Sequence, residues 1–158
     1  MNLKKGFTLL ELLVVVGIIG ILATVVLALL NSAKTKGEDK AVASNLHTII
    51  NQAEIFFTSN NNSYLPAGGS VFNIGVCPSY NASGDNMLSV DKVLASAIAE
   101  AVLRGSGSAC YNSRDHWAVA VGLKSNTNTS WCVDNAGSAK LVSSLPADAI
   151  NPITFNCN

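Results

Sequence analysis

Apolar residues fill almost every position near the N-terminus of the chain. Between residues 9 and 30, Glu11 is the one ionisable side chain, and the 19 residues from Leu12 to Leu30 carry no charge. A helix of that length spans roughly 28 Å, close to the ~30 Å hydrocarbon thickness of a bilayer. The pattern therefore predicts a membrane-spanning helix. The alternative is a secretory signal peptide, whose apolar core is shorter, at ~7 to 15 residues.

Beyond this run the apolar positions narrow to a single stripe. They recur at steps of three or four residues, as expected for one face of an amphipathic helix. The stripe consists of Val42, Leu46, Ile49, Ala53 and Phe56. Since no proline precedes Pro66, the sequence predicts one helix from about Phe7 to about Ser59.

In the second half of the chain the spacing of apolar residues changes, and segments with strand-like alternation appear. Residues 70–76 predict a weak strand, and residues 89–105 a helix capped by Ser89. Three segments, 116–124, 129–133 and 139–143, predict an antiparallel meander with the turn "DNAG" between the last two. In the first of these segments the alternation puts four apolar side chains on one face. They are Trp117, Val119, Val121 and Leu123.

Together these elements predict an α+β fold. A long N-terminal helix, transmembrane and then amphipathic, packs its second half on a small antiparallel β-sheet. The tail from residue 145 onward is predicted to be irregular, with loops tied by disulfides.

Composition and cysteine usage narrow the function. Ten Lys and Arg residues balance ten Asp and Glu residues, so no basic nucleic-acid surface is indicated. The four cysteines all follow the apolar run, and none form a C-x-x-C pair typical of zinc or redox sites. They are Cys77, Cys110, Cys132 and Cys157. Disulfides in an oxidising compartment are the better interpretation, with three pairings open.

No segment indicates catalysis or a cofactor. Ser113, Asp115 and His116 lie close in sequence, but no nucleophile motif surrounds them, and His116 is expected to begin a strand. The segment "DNAGS" (134–138) offers oxygen atoms for calcium, but a hairpin turn uses the same residues and the spacing is not that of an EF-hand. We therefore predict no enzyme, metal site or cofactor.

The segment "KKGFTLLELLVVVGIIGILA" (4–23) resembles the leader of the type IV pilin family, which includes the pseudopilins of type II secretion. It has basic residues, a glycine ending the leader, a phenylalanine opening the mature chain, and then Thr-Leu-Leu-Glu. The resemblance implies that a prepilin peptidase cuts between Gly6 and Phe7 and that the new amine of Phe7 is methylated. It further implies that Cys132 pairs with Cys157, which leaves Cys77 to pair with Cys110.

The resemblance also implies a division of the chain. Residues 1–6 are a cleaved leader, 7–30 a transmembrane and filament-core helix, and 31–158 an exported domain. Within that domain we expect an amphipathic helix at 31–59, a middle loop and helix at 60–110, and the sheet with the C-terminal loop at 111–158.

By this resemblance the chain is a structural subunit of a helical homo-oligomeric filament. It would sit in the inner membrane as a single-pass protein and be extracted by pilus or secretion machinery into an extracellular or periplasmic fibre. Glu11 of an incoming subunit would pair with the Phe7 amine of its neighbour. A pseudopilin, a minor pilin, and a monomeric membrane-anchored binding module are the alternatives.

Overall fold

The computed structural model describes residues 6–158, so all but Gly6 of the predicted leader lies outside the described residues. Internal contacts divide the chain into an N-terminal unit ending at Thr35 and a C-terminal unit from Lys36 to Asn158. A 51-residue helix, α1 (Leu9–Ser59), contributes to both units. Its bounds agree with the predicted helix, apart from the first two residues.

The N-terminal unit displays its apolar side chains on the outside. From Leu9 to Leu30, every valine, leucine and isoleucine is between 45% and 83% exposed. By length and composition α1 could cross a membrane, and its most apolar stretch has no buried residue. A continuous apolar surface of this kind requires lipid or other apolar side chains around it.

The C-terminal unit contains a five-stranded antiparallel sheet and three further helices. The strands lie side by side in chain order, so each pairs with the next. The elements are β1 (Phe72–Gly75), α2 (Met87–Val90), α3 (Lys92–Arg104), β2 (Ser108–Asn112), β3 (Trp117–Gly122), β4 (Ser130–Asp134), β5 (Ala139–Val142) and α4 (Pro146–Ala149). This arrangement confirms the α+β fold class.

The main core lies between the second half of α1 and one face of the sheet. The predicted helix stripe is the buried one, since Val42, Leu46, Ile49 and Ala53 have no exposed surface. The four apolar side chains predicted on one face of β3 belong to the same cluster. Burying each large side chain stabilises the fold by about 1.5–3 kcal/mol. The alternation of apolar and polar residues from Trp117 to Leu123 therefore predicts correctly which side chains face α1.

The opposite face of the sheet is covered as well. Small residues of β2 and β3, including Ala118 and Ala120, pack with Ile150 and other residues of the C-terminal segment in a second cluster. All six residues of β3 are consequently buried. The ring of Tyr111 stacks on Phe155, with 3.9 Å between ring centroids.

Three sequence-based expectations need correction. The sheet was expected to begin at residue 111, but the strand β2, which was not predicted, begins at Ser108. A five-residue strand that is covered on both faces shows little alternation of apolar and polar residues, so its sequence gives no clear signal. The predicted helix at 89–105 is two helices, and Asp91 rather than Ser89 caps the longer one, accepting N–H groups of Val93 and Leu94. The tail contains the short helix α4.

Two disulfides join distant parts of the C-terminal unit. Cys77, after β1, is bonded to Cys110 on β2, and Cys132 on β4 is bonded to Cys157 near the C-terminus. These are the pairs implied by the family resemblance. The loops they close span 33 and 25 residues, and in the chain-entropy model each bond stabilises by about 3.5 kcal/mol.

Candidate functional site

The start of α1 is organised by Thr8 and Glu11. The backbone N–H and the hydroxyl of Thr8 both donate to Oε2 of Glu11, each at 2.9 Å, and the Glu11 N–H donates to the Thr8 hydroxyl oxygen at 3.2 Å. This is a capping box, in which each side chain satisfies a backbone N–H of the other residue. It explains why the helix begins at Leu9 rather than at Phe7.

Sequence reasoning did not single out Thr8. Its signal was present, since Thr followed three residues later by Glu before an apolar run is the signature of a capping box. The carboxylate therefore has a structural role in its own chain in addition to any role in assembly.

The predicted processing residues lie on the surface. Gly6, Phe7 and Glu11 are all exposed, and Phe7 retains 80% of its accessible surface. Among residues 6–158, Oε1 of Glu11 takes part in no hydrogen bond, whereas Oε2 accepts two. A carboxylate oxygen can accept further donors, so Glu11 can bind a cationic N–H group while its capping contacts remain.

The serine–aspartate–histidine segment forms a turn. The Ser113 hydroxyl donates to the carbonyl of His116 and accepts its N–H, both at 3.1 Å. These bonds close the connection between β2 and β3. The hydroxyl is thus held by backbone groups of the turn.

The loop considered for calcium is organised by a buried carboxylate. Oδ1 of Asp134 accepts the N–H groups of Ala136 and Ser138, both at 3.0 Å, and Oδ2 accepts the N–H of Cys157 at 2.8 Å. Gly137 has a φ of +79°, as expected for this turn. Within the described part of the chain, no cluster of three or more His, Cys, Asp or Glu side chains could hold a metal ion.

Comparison with known proteins finds a known motif at the N-terminus of the chain. Residues 1–27 match the model of the prokaryotic N-terminal methylation motif. The chain is also 36% identical over 76 residues to the type IV wide pilus major component PilA4 of Thermus thermophilus.

The chain thus carries an N-terminal methylation motif and is similar to a type IV pilin over about half of its length. The alignment with the Thermus pilin covers 48% of this chain and 57% of that protein, so less than two thirds of the relative is matched. No solved structure matches the chain significantly. The motif match covers the N-terminal part of the chain, and the C-terminal unit is described by its own fold.

Proposed function

We propose that this chain is the repeating subunit of a type IV pilus-like filament. The observation that carries the proposal is a methylation-type leader followed directly by a capped apolar helix with an exposed surface. This arrangement supports a role in building a fibre.

Processing is the first proposed step. A prepilin peptidase cleaves between Gly6 and Phe7, and the amine of Phe7 is then methylated. Gly6 and Phe7 precede the first turn of α1 and are exposed, so the peptide bond between them is accessible to an enzyme. Glycine adds no side chain at the cleaved bond, which favours close approach of a protease.

The apolar segment 7–30 then has two successive roles, one in the membrane and one in the filament. In the membrane it anchors the subunit, since its length matches the hydrocarbon layer. In the filament it packs against the same segment of neighbouring subunits, which replace lipid around the exposed leucines and valines. Gly17 and Gly20 support this packing, because they have no side chain and their side of the helix is open, so a neighbouring helix can approach closely.

Glu11 directs docking in this proposal. Cleavage creates a positive amine on Phe7, one residue before the capping threonine. The amine of a subunit already in the filament binds the Glu11 carboxylate of the incoming one, which neutralises both charges in apolar surroundings. The pairing fixes the axial offset between neighbours.

The exported domain 31–158 forms the outer part of the fibre. Its two disulfides suit an oxidising compartment. Among family roles we favour a major pilin, as the relative in Thermus is named a major pilus component. A pseudopilin or minor pilin would share the same N-terminal chemistry.

The test is intact-mass and N-terminal analysis of the protein from native membranes and from sheared surface material. We expect a chain that begins at Phe7 and is heavier by one methyl group. A chain beginning at Met1 in peptidase-competent cells would overturn the proposal in favour of a membrane-anchored monomer. Electron microscopy of the sheared material separates a pilus from a periplasmic pseudopilus.

A further inference from the structure

A shallow groove lies within the C-terminal unit, between α1 and the sheet edge formed by β4 and β5. Its volume is about 280 Å³. Trp131 and Leu141 form its apolar wall; they are directly opposite each other in the β4–β5 pair, so their side chains share one face. The Leu141 side chain is 54% exposed, although it lies beside a half-buried tryptophan.

The opposite wall of the groove carries two lysines. Lys36 and Lys40 line it from α1, and both are exposed. The acidic side chains beside them have other partners: Glu38 pairs with Lys124 at 3.1 Å, and Asp39 accepts backbone N–H groups of the same loop. Among residues 6–158, the recorded salt bridges involve neither Lys36 nor Lys40.

Along the sequence, the first residue of this groove follows the predicted membrane span closely. Lys36 follows Leu30 by six residues, which is about 9 Å along a helix. The polar headgroup layer adds roughly 5 to 8 Å to each side of the hydrocarbon core. The side chain of Lys36 can therefore reach the headgroups. Tryptophan and lysine are also the residues enriched at membrane interfaces.

We propose that this groove docks on the anionic phospholipid surface while the subunit is still anchored in the membrane. Lys36 contacts lipid phosphates, Lys40 adds to the attraction of the anionic surface, and Trp131 and Leu141 face the headgroup layer. The contact holds the exported domain against the membrane and is released when the subunit is extracted. The inference rests on the membrane anchoring in the proposed function.

The chain offers a fluorescence test, because it has two tryptophans. Trp117 is fully buried in the core, whereas Trp131 lines the groove. The full chain is reconstituted into vesicles of phosphatidylglycerol and phosphatidylcholine, with a nitroxide on a fraction of the headgroups. We expect the nitroxide to quench Trp131, iodide in the water to quench it weakly, and W131F to lose the nitroxide effect.

Charge variants test the lysines. Each basic side chain near an anionic surface strengthens binding by roughly fivefold, so K36Q/K40Q should weaken docking by about 25-fold and restore iodide quenching. The matched control is K92Q, because Lys92 is an exposed lysine of the same unit outside the groove. It should behave as the wild type, and vesicles of phosphatidylcholine alone should mimic K36Q/K40Q.

Three outcomes would overturn the inference. Iodide quenching of Trp131 without nitroxide quenching means that the groove faces water. Protection from both quenchers means that protein, such as a second copy, covers it. In either case a chain that resists carbonate extraction leaves the proposed function intact, whereas a chain that never inserts into the bilayer overturns both proposals.

Discussion

At the scale of single residues, Glu11 combines two roles that are separable by chemistry. Its Oε2 closes the capping box with Thr8, which needs only a hydrogen-bond acceptor. The proposed pairing with the Phe7 amine of a neighbour needs a negative charge. Glutamine supplies the first property and lacks the second.

We therefore expect Glu11→Gln and Glu11→Ala to lower the yield of sheared filaments alike, by roughly tenfold or more, since an amine would be left unpaired in apolar surroundings. Membrane levels of the processed subunit should be unchanged in immunoblots. Thr8→Ser is the matched control, because serine retains the capping box. Normal filament yield from Glu11→Gln would limit Glu11 to capping.

Tyr64 shows how burial alters a single ionisable group. Its hydroxyl donates to Glu54 at 2.7 Å, and its ring lies against Phe57 and near Trp117. Burial, together with the hydrogen bond to the Glu54 carboxylate and its charge, raises the pKa of Tyr64 to about 12. The folded state thus keeps the phenol neutral beyond the pH at which an unfolded chain loses the proton.

This pKa predicts a loss of stability at high pH. The contribution of Tyr64 is complete below its unfolded pKa of about 10 and is lost as the pH rises to about 12, since the unfolded chain then binds fewer protons. Denaturant unfolding between these pH values should show a steeper fall for the wild type than for Tyr64→Phe. Tyr80→Phe, at a half-exposed position, should keep the wild-type slope.

At the scale of elements, Asp134 connects the β4–β5 turn with the C-terminal segment, two parts of the chain that are far apart in sequence. One carboxylate oxygen shapes the β4–β5 turn, and the other holds the backbone at Cys157, where the second disulfide attaches the C-terminal segment. The carboxylate is fully buried, and its contacts are backbone N–H groups. A buried charge is tolerated when donors satisfy it in this way.

We expect Asp134→Ala to reduce the free energy of unfolding by about 3 kcal/mol, because the N–H groups it bonds would be left unsatisfied. Thermal or denaturant unfolding of the purified chain in detergent measures this change. The control is Asp148→Ala, on the exposed side of α4, which should stay within about 0.5 kcal/mol of the wild type. Equal effects would show that Asp134 is not a structural anchor.

At the scale of the whole molecule, the chain contains two kinds of surface with different requirements. The N-terminal unit exposes apolar side chains that need lipid or other helices, and the C-terminal unit has a buried core with disulfides. Disulfides persist in oxidising compartments. The proposed route from the membrane to an exported fibre supplies both environments.

The proposed export of the C-terminal unit predicts the state of the thiols. Protein taken from native membranes into denaturant should bind no maleimide before reduction and four after it, as read by intact mass. Protein retained in a reducing cytosol is the control and should bind four without a reductant. Four free thiols in the native sample would contradict export.

The local signals in the sequence determined the elements that depend on neighbouring residues. The uncharged run, the three-and-four spacing from Val42 to Ala53 and the alternation from Trp117 to Leu123 gave α1, its buried face and the inner face of β3. The leader segment gave the resemblance to type IV pilins and matches the methylation-motif model, because such a motif is a short contiguous segment. These features have a fixed spacing along the chain.

Only the tertiary structure determined the features that depend on contacts between residues far apart in the sequence. The strand β2 exists because β1 and β3 pair with it and both its faces are covered, and neither condition appears in five residues. Asp134 is an anchor because Cys157 comes within hydrogen-bonding distance, and the groove needs Lys36 beside Trp131. Such contacts arise from packing, which a local pattern does not encode.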